Sequence, residues 1–128
     1  MRYLLDSDVI INQLRKKSSL PEVAVPSETA VSVITYAEIL YGVYRSHSVK
    51  NQLKIVDDFF ARGPTQILSV DSAVIHIFTL HKVKLEKAGI RLEDFDLLIA
   101  ATAIAHDLIL VTSNIKHFSR IPELKILK

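Results

Sequence analysis

Apolar residues along this chain fall in two rhythms. Short unbroken runs, Tyr3-Leu4-Leu5, Ala30 to Ile34, Ile67-Leu68-Ser69-Val70 and Leu108 to Thr112, have the length and continuity of strands buried on both faces. Between them the spacing changes to that of amphipathic helices. Tyr36, Ile39, Leu40 and Val43 form one stripe, and Val49, Leu53, Val56, Phe59 and Phe60 form the next, stopped at Gly63-Pro64. Asp8 reads as the cap of a first helix through Val9, Ile10 and Leu14 that ends near Lys17. Thr35 reads as the cap of the second, and Asp71 of one running through Val74, Ile77, Phe78 and Leu85 to Gly89. A last long helix opens on Asp96 behind a cap at Asp94 and carries Leu97 to Ala101 up to the polar break His106-Asp107. Ser18 to Glu28, with Pro21 and Pro26, reads as a loop. The tail from Ile115 offers an edge strand at Leu124 to Leu127.

The resulting order, β-α-β-α-α-β-α-α-β, predicts an α/β fold in one domain over residues 1–128. Its centre is a parallel β-sheet of four or five strands with helices on both faces and right-handed crossovers. In such a sheet the site is expected beyond the carboxyl ends of the strands. Three acids stand at strand or helix ends that the sheet can gather on one edge: Asp6, Glu38 and Asp96.

Composition narrows the setting. Hydrophobic residues make up 49% of the 128 and glycines number only three, which suits a packed core and not a disordered chain. With no cysteine, disulfides and thiolate metal sites are excluded. The N-terminal apolar run is interrupted by Asp6 and Asp8, unlike a signal peptide, and no run approaches the ~20 apolar residues that span a bilayer. A cytoplasmic protein is expected. Net charge is only +2. The basic groups (Arg15-Lys16-Lys17, Lys50/Lys54, Lys82/Lys84/Lys87, Arg91, Lys116, Arg120) read either as solvated helix faces or as a broken rim for nucleic-acid phosphates, and composition does not choose.

Clustered carboxylates repel and raise one another's cost of ionising, so a cluster calls for a cation. Hard oxygen ligands favour Mg²⁺ or Mn²⁺, the equipment of metal-assisted phosphodiester hydrolysis, which needs no serine, cysteine or histidine nucleophile. Each acid also has a structural reading. Asp6 can start a turn, Asp8 can cap a helix, Glu38 can close a Thr35-x-x-Glu38 capping box, and Asp96 can be a first-turn acid facing its helix dipole. Asn114 can be an ordinary turn residue. The five histidines lack zinc-site spacing and read as surface or core, with His117 near enough to the expected site to touch substrate. The tyrosines lie beside apolar stripes and read as core.

Four segments carry a resemblance: Leu4 to Ile11 (LLDSDVII), Ile34 to Gly42 (ITYAEILYG), Asp96 to Ala103 (DLLIAATA) and Leu110 to Asn114 (LVTSN). In this order and spacing they resemble PIN domains over essentially the whole chain, and in particular the VapC type, the ribonuclease toxins of VapBC toxin–antitoxin pairs. The resemblance implies a Mg²⁺-dependent endoribonuclease, with Mn²⁺ able to substitute. It makes Asp6, Glu38 and Asp96 the acidic centre, Asp6 and Asp96 the principal metal ligands, and Ser7 and Thr112 the groups that orient them. It implies structured RNA such as a transfer or ribosomal RNA as substrate, a VapB-type antitoxin as partner, and a homodimer. Where many PIN domains carry a fourth acid, this chain has the neutral Asn114, and where Asn is common it has Asp8.

Two other readings compete. Asp6-Ser7-Asp8 after an apolar strand is similar to the first motif of haloacid-dehalogenase-like phosphatases, but Val9-Ile10 follows it and no later Asp-Asp pair appears at a strand end. The other is a PIN-like module that binds nucleic acid with an antitoxin and does not cleave. The three intact carboxylates argue against it, being costly groups to set against a polyanion.

Overall fold

The computed structural model describes residues 2–15, 28–62 and 66–128. Four short strands are laid side by side in the order β3-β2-β1-β4: β1 (Tyr3–Leu5), β2 (Thr29–Ser32), β3 (Gln66–Leu68) and β4 (Ile109–Val111). Every pairing is parallel, with Leu4 opposite Ala30 on one side and Leu110 on the other. The six helices are α1 (Ser7–Leu14), α2 (Val33–Arg45), α3 (Val49–Arg62), α4 (Ser72–Lys87), α5 (Asp94–Ala105) and the single turn α6 (Ile115–Phe118).

Alternation along the strands divides the core in two. Leu4, Ala30, Leu68 and Leu110 meet Leu85, Leu97, Ala100, Ala103 and Phe118 from α4, α5 and α6. Tyr3, Leu5, Val31 and Val111 meet Ile10, Ile39, Val43 and Val56 from α1, α2 and α3. Three layers result, as the continuous apolar runs require. The expected fifth strand at Leu124 to Leu127 shrinks to one parallel bridge between Ile126 and Leu110.

Helix boundaries depart from the sequence reading where polar groups are buried. The first helix is capped by Asp6, whose side chain accepts from the Ser7 N–H, and Asp8 falls in its first turn. The second begins at Val33 and not at Thr35, because Ser32, fully buried, caps it through the Ile34 N–H at 3.1 Å. Thr35 is therefore inside the helix, and the Thr35–Glu38 capping box does not form. On α5 the cap position is Glu93, without a side-chain bond, and Asp94 is the first helical residue. Asp71 caps α4 through the Val74 N–H at 3.0 Å, as expected. The expected loop at Ser18 to Glu28 and the Gly63-Pro64 stop lie outside the described residues, apart from Glu28 itself.

Both long helices over the first face end in the same way. Ile90 N–H donates to Leu85 C=O and Gly89 N–H to Glu86 C=O, a Schellman pair with Gly89 at φ 73°. At the end of α5, Leu108 N–H donates to Ala103 C=O and Asp107 N–H to Ile104 C=O, with Asp107 at φ 53°. These two stops turn the chain from α4 into α5 and from α5 into β4, and so fix where Asp96 and Thr112 emerge.

Apolar exposure falls where the sequence did not place it. The α2 stripe, with Ile39 and Val43 buried and the Tyr36 ring edge-on to Phe60 at 5.3 Å, is core and not an open seam for a second copy. Tyr41 and Tyr44 are more than three-fifths exposed, against the expectation of core, while Tyr3 is buried as expected. The exposed aliphatic side chains of α4 are Ile75, Leu80 and Val83.

Candidate active site

The strand order changes direction at β1: β2 and β3 follow on one side, and the chain then returns to lay β4 on the other. Ligands of open α/β sheets bind at such a switch, beyond the carboxyl ends of the strands. Asp6 leaves β1 there and Thr112 leaves β4 beside it. The Asp6 N–H donates to Val111 C=O at 2.9 Å, continuing the pairing past both strands. Thr112 Oγ1 then donates to Asp6 Oδ2 at 2.8 Å, and the Ser7 N–H to Asp6 Oδ1 at 2.8 Å. Asn114 enters through its backbone, its N–H donating to Thr112 Oγ1 at 3.0 Å.

Asp6 is 7% exposed. Burial pushes its carboxyl above the usual range, the Thr112 bond opposes that, and the charges of Asp8 and Asp96 push it further up. Glu38, on the second turn of α2, is raised by burial and then by Asp6 and Asp96, with the Ser7 hydroxyl acting the other way. Asp6, Glu38 and Asp96, predicted from separate segments, therefore share one electrostatic neighbourhood. Asp6 and Asp96 stand at helix N-termini, whose partial positive charge offsets part of the repulsion.

Hydrogen bonds relieve the repulsion only in part. Glu38 Oε1 and Asp8 Oδ1 are buried with no hydrogen-bond partner among the described residues, a cost of ~1–3 kcal/mol or more for charged groups. Buried, partnerless carboxylate oxygens facing further carboxylates suit a hard cation. As the side chains stand, no three acidic or histidine groups among the described residues converge as direct metal ligands.

Sequence reasoning undervalued three side chains here. Asp8, read as a cap, adds its charge to both Asp6 and Glu38, and its Oδ2 accepts from the Ser113 hydroxyl. His117 Nε2 lies 3.0 Å from Asp96 Oδ2, and Arg120 binds His117 in turn. The sequence marked His117 only as a group near enough to touch substrate and Arg120 only as a basic residue of a broken rim. Of the other histidines, His81 is buried, its Nδ1 2.9 Å from Ile77 C=O and its Nε2 3.3 Å from Glu123.

The basic groups only partly form a rim. Lys82 is paired with Asp94 at 2.8 Å and Lys84 with Glu123 at 3.2 Å, whereas Lys116 is exposed on α6 and Arg120, just past it, is joined to Asp96 through His117. A hollow of about 890 Å³ lies between the end of α4 and the start of α5, lined by Lys82, Glu86, Arg91, Glu93 and Asp94. Its mixed charges and the absence of Asp6, Glu38 and Asp96 from its walls set it apart from the acidic edge.

Comparison with known proteins gives a consistent result. The PIN domain family model matches residues 3–124. The chain is 33% identical to ribonuclease VapC2 of Rickettsia felis over 97% of its own length and 95% of that protein's. It is 28% identical to the tRNA(fMet)-specific endonuclease VapC of Salmonella typhimurium, over 98% and 96%. Among solved structures, the VapBC2 complex of Rickettsia felis bound to a promoter DNA fragment superposes with a TM-score of 0.86 at 30% identity, covering 99% of this chain and 98% of the other. DNA-bound VapBC of Salmonella typhimurium gives 0.89 at 26% identity, over 99% and 97%.

Proposed function

The chain belongs to the PIN domain family, and on that footing we propose that it is a VapC-type endoribonuclease, the toxin of a type II toxin–antitoxin pair, acting in the cytoplasm. Mg²⁺ is the proposed cofactor, with Mn²⁺ as substitute. A transfer or ribosomal RNA is the proposed substrate, and a VapB-type antitoxin the partner in a hetero-oligomer built on a toxin homodimer. No described helix is long and apolar enough to cross a membrane.

The observation that carries this reading is the shared electrostatic neighbourhood of Asp6, Glu38 and Asp96, with Asp8, on the carboxyl edge of the sheet, where two carboxylate oxygens are buried without hydrogen-bond partners among the described residues. Asp6 and Asp96 are the proposed cation ligands, and Glu38 completes the negative pocket directly or through water. A bound divalent cation supplies a water of lowered pKa and a positive centre beside the charged phosphate oxygens. The chain's own residues do the positioning. Thr112 and the Ser7 N–H hold both oxygens of Asp6, so the carboxylate cannot rotate away. Glu38, with its raised pKa, is suited to accept a proton from an attacking water. Arg120, joined to Asp96 through His117, and Lys116, exposed on α6, would offer charge to the RNA backbone without reading bases.

Purified antitoxin-free protein incubated with total small RNA should give cuts at discrete positions in Mg²⁺ or Mn²⁺ and none in EDTA. Asp96→Asn and Asp6→Asn should reduce cleavage to background while the far-ultraviolet circular dichroism is unchanged. Absence of cleavage by the folded wild type would favour the non-cleaving binding module instead.

A further inference from the structure

Asp96 is held by a chain of contacts that no other acid of the site has. His117 Nε2 lies 3.0 Å from Asp96 Oδ2, and Arg120 Nη2 lies 2.7 Å from His117 Nδ1. A guanidinium has donors and no acceptor, so His117 Nδ1 must accept. A neutral imidazole with Nδ1 accepting carries its proton on Nε2, and that proton is donated to Asp96. The Arg120 fork is itself anchored, because its Nε donates to the His117 carbonyl at 3.0 Å. Arg120 thus grips one residue at both backbone and ring. The ring has a wall as well, standing edge-on to buried Phe118 at 5.1 Å. Asp96 Oδ1 has no hydrogen-bond partner among the described residues.

We infer that His117 and Arg120 are a positioning pair for Asp96. Arg120 sets the His117 tautomer, His117 engages Oδ2, and Asp96 is left to present Oδ1 alone to a divalent cation. The inference rests on the reading of Asp96 as a cation ligand. Groups that orient a ligating carboxylate typically govern metal affinity by ~10–100-fold, which is the effect to seek.

Two measurements test it on the full chain. In the nitrogen-15 spectrum of the metal-free wild type, the His117 ring should show a protonated Nε2 and an unprotonated Nδ1; the opposite tautomer overturns the inference. Calorimetric titration with Mn²⁺ then compares variants whose melting curves show them folded. His117→Ala should weaken Mn²⁺ binding about tenfold or more. His117→Gln, whose amide N–H₂ donates whatever Arg120 does, should retain most of it. Arg120→Ala should weaken binding in the wild-type background, where His117 becomes free to turn an unprotonated nitrogen to Asp96, and should have no effect in the His117→Gln background. An equal loss in both backgrounds would mean that Arg120 acts by its charge alone and would overturn the inference. Wild type that binds Mn²⁺, with binding lost in Asp96→Asn but intact in His117→Ala, overturns this inference alone. Wild type that binds no Mn²⁺, or Asp96→Asn that binds as wild type does, overturns the reading of Asp96 and the inference with it.

Discussion

A carboxylate with both oxygens held by donors would ordinarily titrate low, yet burial and the charges of Asp8 and Asp96 outweigh the Thr112 and Ser7 bonds at Asp6 and leave its pKa raised. The consequence for stability has a definite sign. Folding favours the protonated form of a group whose pKa is raised in the native state, so its stabilising contribution is present below the unfolded pKa and is lost as pH rises through the folded one. Glu38 acts in the same direction. In EDTA near neutral pH, Asp6→Asn should therefore unfold at higher urea than wild type, and the gap should close below about pH 4, where the unfolded carboxyl is itself protonated. The amide is tolerated because the Thr112 hydroxyl can rotate to accept from it while keeping the Asn114 N–H. A wild type more stable than Asp6→Asn at neutral pH in EDTA would refute the argument.

At the scale of elements, the geometry of the site depends on how helices begin and end. Gly89 is the left-handed residue that stops α4, and nothing lies within 4 Å of the position a Cβ would take. Gly89→Ala should accordingly cost only the backbone strain, about 1 kcal/mol by urea denaturation, with no packing penalty. A much larger loss would point to a contact that the structure does not contain. Helix starts were the less legible half of the sequence. The strands could be read because Leu4, Ala30 and Leu110 sit in unbroken apolar runs, and the stripes of α2 and α3 because their period is that of a helix. The start of α2 was misplaced because Val33 and Ile34 extend the β-branched run of β2. A serine at the end of such a run gives no hint that it will be buried and capping. That error mattered for the site: with Ser32 as cap, Glu38 loses the structural role that spacing alone had offered it. Asp8 was misread for the same reason, the cap having gone to Asp6. Asp6, Glu38 and Asp96 could be picked from the sequence because each lies near the start of a helix, inside a segment that resembles PIN domains. His117 and Arg120 were legible only as a group near the site and a basic rim residue, since the contact of His117 with Asp96 spans 21 residues of chain.

For the molecule as a whole, the two half-cores and the acidic edge are energetically opposed. Leu4 of β1 and Leu110 of β4, both fully buried, bind the layers together, and truncating either to Ala should cost ~2–5 kcal/mol. The same strands carry Asp6 and Thr112 to an edge where four carboxylates stand together and two of their oxygens lack hydrogen-bond partners among the described residues. A cation taken up there binds the folded chain and not the unfolded one, since only folding gathers Asp6, Glu38 and Asp96 from three distant segments. Such a ligand stabilises by RT ln(1 + [L]/Kd), about 1.4 kcal/mol at ten times Kd. The melting temperature should therefore climb with Mg²⁺ concentration and return to its starting value on adding EDTA. In Asp6→Asn the starting value should be higher and the climb reduced, because the substitution removes both the repulsion and a ligand. In Leu4→Ala the starting value should fall while the climb persists. Parallel climbs in wild type and Asp6→Asn would show that Mg²⁺ acts elsewhere on the surface and would separate the acidic edge from any cation requirement.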